Sequence, residues 1–189
     1  MVIRAWLAAG LLALAPPAAA CELALAFALD VSASVDAEEY VLQRDGLADA
    51  LRAPEVARVV LAQPGGVALA AYEWSGRDQQ SVIADWTRVG DADALARFAD
   101  RVGAARRSHR EFPTAIGYAL GFGARLIQRA PACARRVIDV SGDGVNNDGF
   151  GPRLAYRAFP FEGVTVNGLA IEGSEPEVAG YYRAALPHG

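Results

Sequence analysis

Apolar runs and amphipathic segments alternate along the chain after residue 20. The continuous apolar run at 23–29 is typical of a strand buried on both faces of a parallel sheet. Asp36 and Glu39 then have the spacing of a capping box, and the apolar positions that follow predict a helix ending near Leu51. The same patterns predict further strands and helices along the rest of the chain. These are strands at 67–74, 80–86, 136–141 and 164–171, and helices at 91–102, 114–129, 152–161 and 177–186.

This alternation predicts an α/β domain with a mostly parallel sheet between helices. The strands at 67–74 and 80–86 are separated only by a short turn, so we expect them to form an antiparallel hairpin. Gly117, Gly121 and Gly123 each weaken the helix at 114–129 by up to ~1 kcal/mol, which indicates a helix pressed closely on the sheet. Ligands of such sheets bind beyond the carboxyl ends of the strands. Functional residues are therefore expected there.

Residues 1–20 have the layout of a secretory signal peptide. Arg4 precedes an apolar run at 5–15, and Ala18-Ala19-Ala20 offers a cleavage site after two prolines. The apolar run is shorter than the ~20 residues that a membrane-spanning helix needs. We therefore predict an exported protein, periplasmic or extracellular, with a signal peptide at 1–20, a single domain at 21–189 and no membrane span.

Export changes how the two cysteines, Cys21 and Cys133, are interpreted. In an oxidising compartment two cysteines are expected to pair as a disulfide. Cys21 also stands at the predicted cleavage point, where a bacterial lipoprotein would carry its lipid. Lipoprotein signals usually have leucine three residues before that cysteine, and here Ala18 takes the position. The disulfide is favoured, with lipidation as the alternative.

Composition excludes several classes of site. All 18 basic residues are arginine, so no lysine is present for a Schiff base, a P-loop or a phosphatase-type site. The net charge of −4, with arginines scattered along the chain, argues against a nucleic-acid-binding protein, which would show a basic stripe.

Oxygen-bearing side chains gather where the predicted strands end. Asp30, Ser32 and Ser34 alternate after the first strand, so they point the same way. Asp143 follows the strand at 136–141 in a Gly-Asp-Gly segment, and Thr114 opens a helix. Two carboxylates and three hydroxyls suit a hard divalent cation and favour Mg²⁺, with Ca²⁺ or Mn²⁺ as alternatives. The simpler interpretation is that the serines cap a helix and Asp143 lies in a glycine turn.

These three parts, in this order, resemble the metal-ion-dependent adhesion site (MIDAS) of von Willebrand factor A (VWA) domains. D-x-S-x-S after an apolar strand is weak alone, but it is specific together with a lone threonine before a helix and a later strand ending in Asp-Gly. The resemblance covers residues 21–182. Three segments further resemble DUF1194, a group of bacterial exported proteins with this domain. They are the segments at 72–76, 137–144 and 166–171.

The resemblance implies a three-layer, Rossmann-like VWA fold with sheet order 3-2-1-4-5 and flanking helices. It also implies a Mg²⁺ site in which the hydroxyls usually touch the metal and the aspartates often act through waters. Its open position would take an Asp or Glu carboxylate of a partner protein, so the implied function is adhesion or interaction rather than catalysis. The implied ligands are Asp30, Ser32, Ser34, Thr114 and Asp143.

The strand order of that family has two further consequences. It places the first and fourth strands side by side, and Cys21 and Cys133 lie at similar distances before Asp30 and Asp143. We therefore expect a Cys21–Cys133 bond at the end of the sheet opposite the metal. Family members also continue into a further strand, so a sixth strand is expected to be missing here. That would leave the strand at 164–171 with an exposed edge.

Two other functions compete with metal-dependent adhesion. The first is a VWA-like domain with a purely structural metal or none. The second is a phosphatase of the haloacid-dehalogenase type, because the segment at 142–148 is similar to the G-D-G-x-N-D stretch of those enzymes. Their D-x-D motif has an acid where Ser32 stands, and their lysine is absent, which argues against this reading.

Two sets of charged residues have simpler interpretations. Asp139, inside a predicted strand, is expected to be a hydrogen-bonded structural acid rather than a ligand. Arg106, Arg107 and Arg110 are expected on the rim of the site as a solvated loop, with steering of an acidic partner as the alternative.

Overall fold

A computed structural model describes residues 21–172 and 176–189. The predicted signal peptide lies outside the described residues. The elements are β1 (Cys21–Asp30), α1 (Ala37–Arg52), α2 (Pro54–Leu61), β2 (Val67–Trp74), β3 (Gln80–Val89), α3 (Ala92–Gly103), α4 (Ile116–Gln128), β4 (Cys133–Gly142), α5 (Pro152–Ala158), β5 (Val164–Ala170) and α6 (Val178–Ala185).

The described strands form one sheet in the order β3-β2-β1-β4-β5. β1 is parallel to both β2 and β4, and β4 is parallel to β5. β3 is antiparallel to β2, as a hairpin requires. The predicted α/β class, the strand order and the hairpin are therefore confirmed. All four parallel strands end at the same edge of the sheet.

Helices cover both faces of the sheet and make the three layers. On one face, α4, α5 and α6 enclose a core that includes Trp74, Leu120 and Ile138. On the other face, α1 and α3 enclose a second core that includes Leu69 and Phe98. Both cores bury strand side chains, which explains why β1 and β2 read as nearly continuous apolar runs.

Helix α4 packs close to the sheet at one of its three glycines. A Cβ at Gly123 would lie 3.1 Å from Ile138 Cδ1 and closer still to the Tyr72 hydroxyl. Gly121 meets the Phe159 ring instead, with 2.7 Å from such a Cβ to Cζ. The expected close approach to the sheet is therefore made at Gly123, and Gly121 allows the segment after α5 to pack on the helix.

Several boundaries differ from the pattern-based predictions: β3 continues to Val89 rather than to residue 86, α5 ends at Ala158 rather than at residue 161, and two helices begin at unexpected places. Pro54 was expected only to follow the first helix, but it opens the short helix α2, where a missing N–H costs nothing. Ala53 between the two helices has extended backbone angles, as the residue before proline prefers. Thr114 was expected to open a helix, but α4 begins at Ile116 with Ala115 as its N-cap residue.

The disulfide bond joins Cys21 and Cys133 at the end of the sheet where β1 and β4 begin. Both strands begin earlier than predicted, so the two cysteines are direct register partners with Cα atoms 4.5 Å apart. The pairing agrees with the expectation from the strand order. The bond also uses the Cys21 sulfur to which a lipid anchor would have to be attached.

The outer edge of β5 is covered at one position. His188 forms an isolated antiparallel bridge with Val166, and each residue accepts a backbone hydrogen bond from the other. The His188 ring stacks on Tyr156 with 4.3 Å between ring centroids. The edge expected to be exposed therefore has a partner at Val166.

Among the helices of the described segments, none has the length and apolar character needed to cross a membrane.

Replacing both cysteines by serine should lower the free energy of unfolding by about 4–5 kcal/mol, because the bond closes a loop of more than 100 residues in the unfolded chain. Urea unfolding of the double variant beside the oxidised protein measures the difference. Reduced wild-type protein serves as the control, since it lacks the bond without any substitution. A loss below about 1 kcal/mol in both would contradict the predicted contribution.

Candidate metal centre

The loop after β1 turns three oxygen-bearing side chains toward one point. The Ser32 N–H donates to Asp30 Oδ1 at 2.7 Å, and Val35 N–H donates to the Ser32 carbonyl at 3.1 Å. These local bonds curl the chain back, so that Ser32 Oγ and Ser34 Oγ lie 3.2 Å apart. Asp30 and Ser32 are fully buried, whereas Ser34 is exposed.

Asp143 reaches the same point from the end of β4. Ser34 Oγ donates to Asp143 Oδ1 at 2.8 Å, across 109 residues of sequence. A Cβ at Gly142 would lie 2.6 Å from Asp30 Oδ2, closer than any side chain permits. Gly142 therefore serves close packing of the two strand tips, rather than the flexibility that a Gly-Asp-Gly segment suggests.

Thr114 completes the cluster from the segment before α4. Its side chain is buried, and a Cβ at Gly144 would lie 3.2 Å from Thr114 Oγ1 and 3.6 Å from Ser34 Oγ. Both hydroxyls are therefore close to Gly144. The structure thus brings together all the residues that the sequence singled out: Asp30, Ser32, Ser34, Thr114 and Asp143.

The loop after Asp143 holds the segment around Thr114 in place. Thr114 N–H donates to Asn147 Oδ1 at 2.9 Å, and Asn147 N–H donates back to the Thr114 carbonyl at 3.0 Å. Gly117 N–H donates to Asn146 Oδ1 at 3.3 Å. The Asn146 bond takes the place of a side-chain cap for α4, because it reaches an N–H of the first turn and Ala115 at the N-cap position offers no side-chain bond.

An ion pair anchors the far end of the same loop. Arg77 in the turn between β2 and β3 contacts both carboxylate oxygens of Asp148, with Nη2 to Oδ1 at 2.6 Å. The pair is partly exposed and contributes little energy by itself. Its bidentate geometry fixes the position of the loop relative to β2.

Burial dominates the electrostatics of Asp30. It raises the pKa of Asp30 to about 7, and the Asp143 carboxylate adds to the rise, while hydrogen bonds from Ser32 and from the Asp143 backbone oppose it. Asp30 Oδ2 is buried and accepts no hydrogen bond from the described residues. A buried carboxylate oxygen without a donor is costly. A cation beside it would remove that cost.

The side chains present fit a hard divalent cation. Two carboxylates and three hydroxyls supply only oxygen, as Mg²⁺ prefers. No cluster of three or more His, Cys, Asp or Glu residues suited to a metal occurs at 21–172 or 176–189. Hydroxyls would therefore make up most of the ligand set. The exposed Ser34 and Ala33 mark the side of the cluster that faces solvent.

Comparisons with known proteins agree with this geometry. The model of the family described as "Protein of unknown function (DUF1194)" matches residues 20–189. The chain belongs to the DUF1194 family. A search of curated protein sequences finds no match.

Solved structures show that the DUF1194 chain has the VWA fold. Proximal thread matrix protein 1 from the mussel byssus, solved with a zinc-occupied MIDAS motif, has a TM-score of 0.60 at 19% identity, over 87% of this chain and 40% of that one. A von Willebrand factor type A protein from Catenulispora acidiphila has a TM-score of 0.54 at 22% identity, over 87% and 37%. BatB from Bacteroides thetaiotaomicron has a TM-score of 0.53 at 19% identity, over 78% and 66%. The chain spans less than half of the mussel protein.

Asp139 of the DUF1194 chain lies outside the cluster and is hydrogen-bonded, as expected of a structural acid. Its Oδ1 accepts a hydrogen bond from Asn167 Nδ2 at 2.7 Å, across the pairing of β4 with β5. Burial raises the pKa of Asp139, and the Asn167 bond partly offsets the rise.

Two residues near the site were missed or misjudged from sequence. Glu73 is fully buried in β2 and accepts hydrogen bonds from Tyr40 and Ser108. An acid inside an otherwise apolar strand was the available signal. Arg107 was expected in the solvated loop, but its guanidinium turns inward to the loop after β1. No pattern in the sequence distinguishes it from the exposed Arg106.

The metal-free protein should lose stability as pH rises toward 7, because folded Asp30 binds its proton with a pKa of about 7 against 3.8 in the unfolded chain. The stability that protonated Asp30 contributes is fully present below pH 3.8, its pKa in the unfolded chain. That stability is lost as the pH rises through about 7, the pKa of Asp30 in the folded protein. Asp30 should contribute a slope of up to about 1.4 kcal/mol per pH unit within that window.

Urea unfolding in EDTA at several pH values measures this slope, and the Asp30→Asn variant provides the matched control. The difference between the two proteins isolates Asp30 from the other titrating groups. Equal slopes in both would show that Asp30 titrates normally. Excess Mg²⁺ should flatten the wild-type slope, because a bound metal holds the carboxylate deprotonated.

Proposed function

We propose that this DUF1194 protein is an exported, non-enzymatic interaction domain whose Mg²⁺ site binds an acidic residue of a partner protein. Asp30, Ser32, Ser34, Thr114 and Asp143 hold the metal. Ca²⁺ and Mn²⁺ are alternative ions for the same oxygen ligands.

The observation that carries this proposal is the buried Asp30 carboxylate. The carboxylate interacts with the Ser32 side chain and with the Asp143 carboxylate, and its Oδ2 accepts no hydrogen bond from the described residues. A carboxylate in these surroundings is unfavourable without a counter-charge. A divalent cation would supply that charge, and nearby hydroxyls would complete its coordination.

The ligand chemistry favours binding over catalysis. Three of the five ligands are neutral hydroxyls, so a bound divalent ion keeps attraction for a further anion. The exposed side at Ser34 and Ala33 admits one from solvent. A carboxylate of a partner protein has the matching charge and oxygen ligands. The mussel protein of similar fold, whose MIDAS motif is occupied by zinc, supports the proposal of a divalent metal.

The proposed location outside the cytoplasm is supported by the disulfide. Such bonds persist in oxidising compartments and are rare where thiols are kept reduced. The predicted signal peptide at 1–20 and a single domain at 21–189 complete this proposal. They would place the protein in the periplasm or outside the cell.

The phosphatase alternative has little support in the site. Phosphatases of that type need an acid two residues after the nucleophile, but Ser32 occupies this position and its hydroxyl contacts Ser34. The lysine that those enzymes use is absent from the sequence. We expect no turnover of a generic aryl phosphate in Mg²⁺. A magnesium-dependent rate that Asp30→Asn abolishes would restore the enzyme interpretation.

Asp30→Ala should abolish Mg²⁺ binding, because it removes one of the two buried carboxylates that supply the negative charge of the site. Isothermal titration with Mg²⁺ measures the loss. Asp93→Ala is the matched control, since it removes the same charge from an exposed position at the start of α3. Wild-type protein that binds no Mg²⁺, or an Asp30→Ala variant that binds it equally well, would overturn the metal site.

Binding to partner proteins distinguishes an adhesive metal from a structural one. Proteins captured by the immobilised domain in Mg²⁺ should be released by EDTA and absent with Asp30→Ala. They should remain with Asp93→Ala. Capture that survives both EDTA and Asp30→Ala would contradict adhesion through the metal and favour a structural role.

A further inference from the structure

Arg107 makes a set of hydrogen bonds that the proposed ligands do not explain. Its Nη2 donates to the Val31 carbonyl at 3.2 Å and to the Ser32 carbonyl at 2.9 Å, while its Nε donates to the His109 carbonyl at 2.8 Å. Both carbonyls after β1 belong to the loop that carries Ser32 and Ser34. One cationic side chain therefore binds the back of the proposed metal loop.

The bonds of Arg107 act on the same peptide group that orients Asp30. The Val31 carbonyl accepts from Arg107, and the N–H of the same peptide, on Ser32, donates to Asp30 Oδ1 at 2.7 Å. A peptide group is rigid and planar, so holding its oxygen fixes the direction of its N–H. Arg107 thereby determines where the Asp30 carboxylate is held.

The next peptide group is held in the same way. The Ser32 carbonyl accepts from Arg107, and the N–H on Ala33 donates to the Phe112 carbonyl at 2.8 Å. Two consecutive peptide groups thus have both ends bonded. The backbone that carries the Ser32 hydroxyl is constrained before any metal arrives.

A buried acid holds the backbone next to Arg107. Glu73 accepts from Ser108 N–H, next to Arg107 in the chain, at 2.7 Å, and from the Tyr40 hydroxyl at 2.7 Å. The Tyr40 ring centroid lies 5.8 Å from the Arg107 guanidinium carbon. Burial, with a contribution from Glu73, raises the pKa of Tyr40, so its hydroxyl remains a hydrogen-bond donor.

We propose that Arg107 is a positioning residue of the metal site, which acts through two backbone peptide groups rather than by touching the metal. The proposal rests on the proposed function of that site. Glu73 and Tyr40 form its support. The planar guanidinium suits the role, because Nη2 reaches the Val31 and Ser32 carbonyls while Nε is held by the His109 carbonyl, a fixed geometry that a lysine ammonium lacks.

Charge alone predicts the opposite effect, which makes the proposal testable. An arginine near the site repels a divalent cation, so losing it should strengthen metal binding or leave it unchanged. Losing a positioning residue should weaken binding, and loss of outer partners of metal ligands typically costs 10–100-fold in affinity. The two roles therefore differ in the sign of the change.

The experiment measures Mn²⁺ affinity by electron paramagnetic resonance, with Mg²⁺ competition, for wild type, Arg107→Ala, Arg107→Lys and Arg106→Ala. Arg106→Ala is the matched control, because it removes the same charge from an exposed position in the same loop. We expect Arg107→Ala to weaken binding by about 10–100-fold, Arg107→Lys to weaken it less, and Arg106→Ala to leave it unchanged or slightly stronger.

Thermal unfolding in EDTA establishes that each variant is folded at the temperature of the titration. If Arg107→Ala is unfolded at that temperature, the Mn²⁺ affinity of folded Arg107→Lys tests the proposal. This variant keeps the positive charge and loses the planar geometry. Wild-type affinity in both Arg107 variants would overturn the positioning role while leaving the metal site intact. Absence of Mn²⁺ and Mg²⁺ binding to wild type would instead overturn the proposed function itself.

Discussion

The parallel pairing of β1 with β4 is the constraint on which the rest of the structure depends. Its register joins Cys21 to Cys133 at one end and Leu29 to Ser141 at the other. The pairing therefore places Asp30 and Asp143 next to each other where the two strands end, while the disulfide joins the strands where they begin. Because the strands are parallel and adjacent, the two carboxylates approach each other although 113 residues separate them in the chain.

The cost of that approach explains the character of the site. Two acids at neighbouring strand tips repel each other, and burial withholds the water that would screen them. Hydroxyls and backbone N–H groups, rather than basic side chains, donate hydrogen bonds to these carboxylates. The only basic group bonded to this loop, among the described residues, is Arg107, and it contacts carbonyls instead of the carboxylates. Arg107 therefore leaves the negative charge at the centre in place, as the proposed metal site requires.

The strands and most of the proposed ligands could be predicted from the sequence, but the contacts that support the site could not. The alternating apolar pattern is a local signal, so the strands, the hairpin and the sheet class could be read from it. Asp30, Ser32 and Ser34 could be grouped from their pattern after an apolar strand, but the reason differs from the one expected. A turn at residues 32–35, rather than an extended segment, brings the two serine hydroxyls together. Helix α2 was missed because Pro54 marks both the end of one helix and the start of another. The contacts of Glu73 and Asn147 could not be predicted, since their partners lie more than 30 residues away.

By itself, the sequence determined which segments are buried, which end in oxygen-bearing residues and which two cysteines are available to pair. These properties depend on residue type and on spacing within a few residues. Only the tertiary structure decided that Gly142 must lack a side chain beside Asp30, and that Arg107 rather than Arg106 reaches the loop after β1. Those choices depend on distances between strand tips and loops brought together by sheet order. Such distances arise from the packing of the whole domain and leave no local pattern in the chain.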